Sequence, residues 1–273
     1  MLKIGQFIAH FRFSILMDNL QPNSNLPILE YPLTIHSFQC DLTRKLSIPG
    51  LFGVFGEAAH HDATRRGWGY EALLNRNEAW VLIRIVVEIN RMPSWEEQVV
   101  IKTWPKTMEG VVAIRDFQVK DQQGQILVAG TSVWSLVDLE KRRPLRMTSI
   151  NPPPGPMSYP DAVVVKPEKI SWPDDLITCA TIQAKYSAID MNMHVNNARY
   201  IEWVVNEIPM EVLLSRRLQR VSLNFISEVK PGDVVEVKVP VRQVDNDHYC
   251  GFVSFLQSGN PAFASDFQFD STF

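Results

Sequence analysis

The order in which this chain presents its elements is repeated, and that repetition limits what it can fold into. Between Met147 and Asp175 runs MTSINPPPGPMSYPDAVVVKPEKISWPDD, which holds seven of the 18 prolines. Proline suits neither a helix interior nor a central strand, so this stretch reads as an extended surface connector. The segment before it opens with a strand-like run from Tyr31 to Leu46. A helix follows from Pro49 (PGLFGVFGEAAHHDATRRG), then four β-rich runs beginning at AWVLIRIVVEINR. The segment after it opens with TCATIQAKYSAID, has a helix from about Asn197, and gives four more β-rich runs, with QSGN as the last turn. One apolar helix followed by several strands, twice over, predicts an α+β protein of two units, each a long antiparallel sheet wrapped around its helix. Edge strands of the two sheets can join into one. The boundaries that follow are an N-terminal extension at 1–29, a first unit at 30–146, a Pro-rich linker at 147–176 and a second unit at 177–273. Setting Pro93 on Pro231 aligns VVEINRMP with NFISEVKP and puts Asn90 opposite Glu228.

Composition excludes several classes. With 45% hydrophobic and 21% charged residues, 273 residues can bury a substantial core. A formal charge of −3 gives no basic field for nucleic acid. Cys40, Cys179 and Cys250 lie far apart without metal-type spacing and read as reduced thiols, which predicts a cytoplasmic protein. No uninterrupted apolar run is long enough for a membrane span. The opening MLKIGQFIAHFRFSILM is apolar, but His10 and Arg12 interrupt it and no small-residue cleavage site follows. It reads as a loose extension, with Met17 as an alternative start, rather than a targeting signal.

The densest polar chemistry lies in IDMNMHVNNARYIEW, residues 189–203. In an extended segment Asp190, Asn192 and His194 face one side, while Met191, Met193 and Val195 face the core. Asn196 and Asn197 stand where a helix begins, and Asn197 is the expected cap. The helix then carries its apolar stripe through Ile201, Val204 and Val205. Each buried polar group left unpaired costs about 1–3 kcal/mol, so five together indicate a site rather than a junction.

This stretch closely resembles the D-x-N-x-H-V-N-N-x-x-Y segment of acyl-acyl-carrier-protein thioesterases. The resemblance extends through WVLIRIVVEINRMPSWEEQVVIKTW and SVWSLVDLEKRRPLR to cover roughly residues 30 to 270. It implies a tandem, or double, hotdog fold, with the second unit catalytic and the first structural or acyl-binding. It also implies that Asp190, Asn192 and His194 occupy catalytic positions and that FISEV places Glu228 on the position of a catalytic glutamate. The cysteine that follows this glutamate in many plant members is Val229 here, which removes a thiol nucleophile. Cys179 and Cys250 are expected to be buried small residues.

Thioester hydrolysis needs an activated water, a polarised carbonyl and room for an acyl chain. Glu228, expected on a strand and partly shielded in a cleft, is the candidate general base, and His194 can exchange roles with it. Backbone N–H groups near Asn196 and Asn197 are candidate oxyanion donors. Phe52, Phe55 and Trp68 are candidates to shape an acyl pocket, each taken singly more simply read as core. His60 and His61 read as a helix-surface pair. No metal site or cofactor is expected, since a lone His lacks a second ligand at zinc spacing. The implied partner is acyl carrier protein. Arg142, Arg143 and Arg146, or Arg216, Arg217 and Arg220, can form a docking patch, although charge runs are usually solvated faces. A homodimer is compatible with this arrangement. The rival readings are an acyl-CoA thioesterase, a non-catalytic acyl-binding protein and a hotdog dehydratase.

Overall fold

The computed structural model describes residues 26–147, 159–241 and 247–270. The N-terminal segment around Met17 and the Pro-rich stretch from Thr148 to Ser158 lie outside them. The first half contains β1 (Leu29–Thr34), α1 (Ile48–Arg65), α2 (Tyr70–Leu74), β2 (Glu78–Ile89), β3 (Gln98–Glu109), β4 (Val112–Lys120), β5 (Ile126–Asp138) and the short β6 (Arg143–Pro144). The second contains β7 (Leu176–Gln183), α3 (Asn197–Val205), α4 (Met210–Ser215), β8 (Leu218–Phe225), β9 (Val234–Pro240), β10 (His248–Phe255) and β11 (Pro261–Phe269). Among the described residues no helix is long and apolar enough to cross a membrane.

These eleven strands form one antiparallel sheet in the order β1-β3-β4-β5-β2-β8-β11-β10-β9-β7, with β6 on β5. The halves join where β2 pairs with β8, from Arg84 opposite Asn224 to Glu88 opposite Arg220. Strand alternation sorts the two faces. Ile85, Val87, Leu223 and Phe263 point to the helices and form one core with Leu51, Phe55, Ile201 and Val204. Val86 and Ala129 point the other way and are covered by Val163 of the connector.

The described part of the connector is also fastened to the sheet at several further points. Asn224 accepts from Ile170 N–H at 2.8 Å and donates to the Glu168 carbonyl at 3.0 Å. Trp172 packs on Phe252 at 5.0 Å between ring centroids. A proline-rich chain lacks donors for a ladder, so side chains of the sheet hold it instead.

Helix α1 begins where Ser47 accepts from Gly50 N–H, with Pro49 inside the first turn. Its buried residues Leu51, Phe55, Ala58 and Asp62 recur at helical spacing. Helix α3 is half as long and lies close on β10. A Cβ on Gly251 would meet Val204 at 1.9 Å, so only glycine fits under that helix.

Candidate active site

The Asp190–Val195 segment is a tight loop, not a strand. Asp190 N–H donates to the His194 carbonyl at 2.9 Å, and Met193 N–H to the Asp190 carbonyl at 3.1 Å. The Asp190 carboxylate accepts from Asn192 N–H at 2.8 Å. Met193 takes a left-handed backbone, φ 63°, which closes the turn. The expected alternation therefore fails: Val195 is buried, but Met191 and Met193 are exposed. The helix cap also differs from expectation. Asn196, not Asn197, is the cap and accepts from Ala198 N–H at 2.9 Å, while Asn197 is the first helical residue. Asn196 N–H is taken by the Ala188 carbonyl at 2.9 Å, which leaves Asn197 N–H as the one without an acceptor among the described residues.

Glu228 lies three residues past the end of β8, on the loop that follows, rather than on the strand. Its Oε2 stands 3.2 Å from His194 Nε2 and 3.2 Å from an Nη of Arg142. Tyr200 of α3 holds this loop from below. Its hydroxyl accepts from Val229 N–H at 2.9 Å and donates to the Ser227 carbonyl at 3.4 Å. Burial pushes that hydroxyl well above the usual tyrosine range, with Glu228 and Asp190 acting in the same direction, so it stays protonated. Val195 N–H donates to the Val229 carbonyl at 2.8 Å and ties the two loops together.

A cleft of about 540 Å³ opens beside this pair. Asp190, Asn192, His194, Asn197 and Glu228 lie on one wall. The first half supplies most of the remaining lining, with Trp68, Leu73, Trp80, Met108 and Trp134 among its residues. Phe52 and Phe55 line a smaller cavity of about 250 Å³ with Asn196 and Asn197, and Phe55 stacks on Phe117 at 4.5 Å in the core. His60 and His61 are both exposed on α1; His61 pairs with Glu57 at 3.1 Å, and His60 edges the larger cleft.

The cysteines lie away from the cleft, and Cys179 is exposed, contrary to expectation. Burial, then the neighbouring Asp41, pushes the Cys40 thiol up. Of the basic clusters, Arg217 pairs with Asp270 at 2.9 Å, Arg220 with Glu88 at 3.1 Å and Arg216 with Asp247 at 3.5 Å. That cluster is neutralised locally.

The first half repeats the loop without its chemistry. Asp41 accepts from Thr43 N–H at 2.8 Å, Arg44 has φ 60°, and Ser47 caps α1 as Asn196 caps α3. Thr43 and Lys45 thus stand where the second half has Asn192 and His194. The register of Pro93 on Pro231 is two residues out. Leu46 N–H donates to the Pro93 carbonyl as Val195 N–H does to that of Val229, so Met92, not Asn90, is the counterpart of Glu228. Asn90 instead donates its side-chain amide to the Ile126 carbonyl at 2.9 Å.

Sequence reasoning about the site missed three features. Arg142 enters it from the β5–β6 turn. Tyr200 closes the motif, and its support of the Glu228 loop shows only in the fold. The third is a buried ionic cluster on α1, where Asp62 accepts from Arg66 Nε at 2.9 Å, Arg65 Nε at 2.8 Å and Arg115 Nη1 at 2.8 Å. Burial alone would push the Asp62 carboxyl up, but Arg115 and Arg66 outweigh it and hold it below the usual range. The signal available was an Asp on the apolar stripe of α1.

Residues 30–149 match the model of the acyl-ACP thioesterase N-terminal domain, and residues 173–270 that of the acyl-ACP thioesterase C-terminal domain. A chloroplastic acyl-[acyl-carrier-protein] hydrolase of Cuphea viscosissima is 25% identical over 74% of this chain and 52% of its own length. An oleoyl-acyl carrier protein thioesterase of Arabidopsis thaliana is 25% identical over 74% of this chain and 60% of its own length. The chain thus spans little more than half of these curated relatives. An acyl-ACP thioesterase structure from Bacteroides thetaiotaomicron superposes with a TM-score of 0.79 at 28% identity, covering 89% of this chain and 98% of that one. The sheet with its two central helices is the double hotdog fold of these neighbours.

Proposed function

This chain belongs to the acyl-ACP thioesterase family, and from that premise we propose that it hydrolyses the thioester of fatty acyl-acyl carrier protein. The products are a free fatty acid and the carrier thiol, and the reaction ends chain elongation. The observation that carries this reading is the His194–Glu228 contact at 3.2 Å on the wall of a cleft whose remaining lining is mostly apolar. Glu228 takes the proton of a water that attacks the thioester carbon. His194 shares that carboxylate and holds the water or protonates the leaving thiolate. Asn192, exposed at the cleft, and Asn197 N–H at the start of α3 are the donors for the developing oxyanion. Asp190 positions them by closing the loop. The second half is the catalytic unit. The first supplies the acyl pocket and, through Arg142 on the β5–β6 turn and Arg143 at the start of β6, part of the docking edge for an acidic carrier.

Three free cysteines support a reducing compartment, the cytoplasm. The experiment offers the purified protein matched acyl-carrier-protein and acyl-CoA thioesters and reads thiol release. Glu228→Gln should lower kcat about 10²–10⁴-fold with little change in KM, while Met92→Ala should cost little. A Gln variant with near-normal turnover removes Glu228 as the base and leaves that role to His194. Equal or faster release from acyl-CoA would replace the carrier assignment.

A further inference from the structure

The first-half end of the cleft is not purely apolar. Trp68 is 5% exposed and lines the cleft, yet its indole N–H is buried without an acceptor among the described residues. A Schellman turn at the end of α1 sets it there. Gly67 is left-handed at φ 79° and donates to the Thr64 carbonyl at 3.0 Å, and Trp68 N–H donates to the Ala63 carbonyl at 2.8 Å. Arg76 lies 4.2 Å over the indole ring and fixes it from its face. Arg115 lines the same cleft. One of its nitrogens serves Asp62 and Thr103, at 2.8 and 3.1 Å, and its other N–H groups have no acceptor among the described residues. The acidic groups nearby are already engaged: Asp62 by its three arginines, Glu78 by Arg76 at 3.0 Å. Donors at this end, the Trp68 indole N–H and the remaining N–H groups of Arg115, therefore have no protein acceptor among the described residues. A buried donor without a partner costs about 1–3 kcal/mol and is tolerated where a ligand supplies the acceptor. A saturated hydrocarbon tail supplies none.

We infer that this end of the cleft is a polar subsite for an oxygen substituent on the acyl chain, a hydroxyl, a keto group or a terminal carboxylate, so that oxygenated acyl thioesters are substrates. The inference rests on the thioesterase reading and deepens it. Its test measures kcat/KM for carrier thioesters of one chain length: saturated, hydroxylated, keto and ω-carboxylated. At least one oxygenated form should exceed the saturated one by about five- to tenfold, the span of one hydrogen bond. Trp68→Phe keeps the ring under Arg76 and removes the N–H. It should abolish a preference for hydroxyl or keto chains, read within the variant as the ratio of kcat/KM for the oxygenated over the saturated thioester. A preference confined to the ω-carboxylated chain that is lost in Arg115→Lys assigns the subsite to the guanidinium. Equal rates for all chains, or a preference untouched by both variants, overturns the subsite while leaving the thioesterase reading standing. If no thioester is cleaved, that reading fails, and calorimetric binding of the corresponding free acids to wild type decides the subsite by itself. Tighter binding of an oxygenated acid supports it and equal binding overturns it.

Discussion

Met193 and Arg44 are two of the non-glycine residues with a left-handed backbone, and they occupy the same place in the two halves. Each sits left-handed at the close of an Asp-initiated turn, φ 63° and 60°. A non-glycine residue there costs about 1–2 kcal/mol, so the turn is held by its surroundings: the Asp carboxylate on one side and the capped helix on the other. What distinguishes the halves is therefore not the loop but the residues it displays. Asn192 and His194 replace Thr43 and Lys45, and Glu228 replaces Met92. The absence of a thiol from this set gives a residue-scale prediction. Changing Cys40, Cys179 and Cys250 together to Ser should leave at least half of the thioesterase turnover, read on protein whose melting curve shows it folded. Loss of all activity from a folded triple variant would restore a covalent thiol mechanism. His194→Ala, by contrast, should remove most turnover with little change in melting temperature.

At the scale of elements, the end of α1 does as much as its beginning. Gly67 adopts a conformation that an L side chain enters only at a cost, and the turn it permits carries Trp68 back onto the cleft. Gly69 is equally constrained, since a Cβ there would meet Thr64 Oγ1 at 2.3 Å. Gly67→Ala should destabilise the protein by about 1–2 kcal/mol, measured by urea denaturation. If the variant unfolds at the same urea concentration, the turn does not need its left-handed residue.

In the whole molecule, the β2–β8 pairing sets the halves about a local two-fold. Val86 faces Ser222 across that pair, and the corrected register makes these two residues counterparts in the repeat. The cleft then draws one wall from each half. Asp62 is the buried anion that stitches α1 to β4 through Arg115. Because its carboxyl is held below the ordinary value, its contribution to stability is complete above about pH 4 and is lost as pH falls further, through the folded-state value. Asp62→Asn should cost about 3–5 kcal/mol at neutral pH, since it leaves buried arginines without their carboxylate. Between pH 5 and pH 3 the variant should lose less stability than wild type. Parallel melting-temperature curves over that interval would assign the acid sensitivity to other carboxylates.

The sequence by itself determined the repeated order of elements, the apolar helix in each half and the identity of the polar residues around His194. These follow from local periodicity and from residue types that each have few uses. It also made Glu228 the partner of His194, through the motif it resembles. Tertiary structure decided the rest. Whether residues 190–195 run as a strand or a turn depends on the hydrogen bond from Val195 N–H to Val229, which lies far on in the chain. Aligning the prolines pairs Asn90 with Glu228 because proline positions are not tied to ladder register; the ladder sets Asn90 against Ile226, since the Leu127 carbonyl accepts from Asn90 and Arg91 N–H as that of Ala262 accepts from Ile226 and Ser227 N–H. Arg142 reaches Glu228, and Trp68 reaches the cleft, only because one sheet joins the halves. Such contacts join residues far apart in sequence, and no local pattern encodes them.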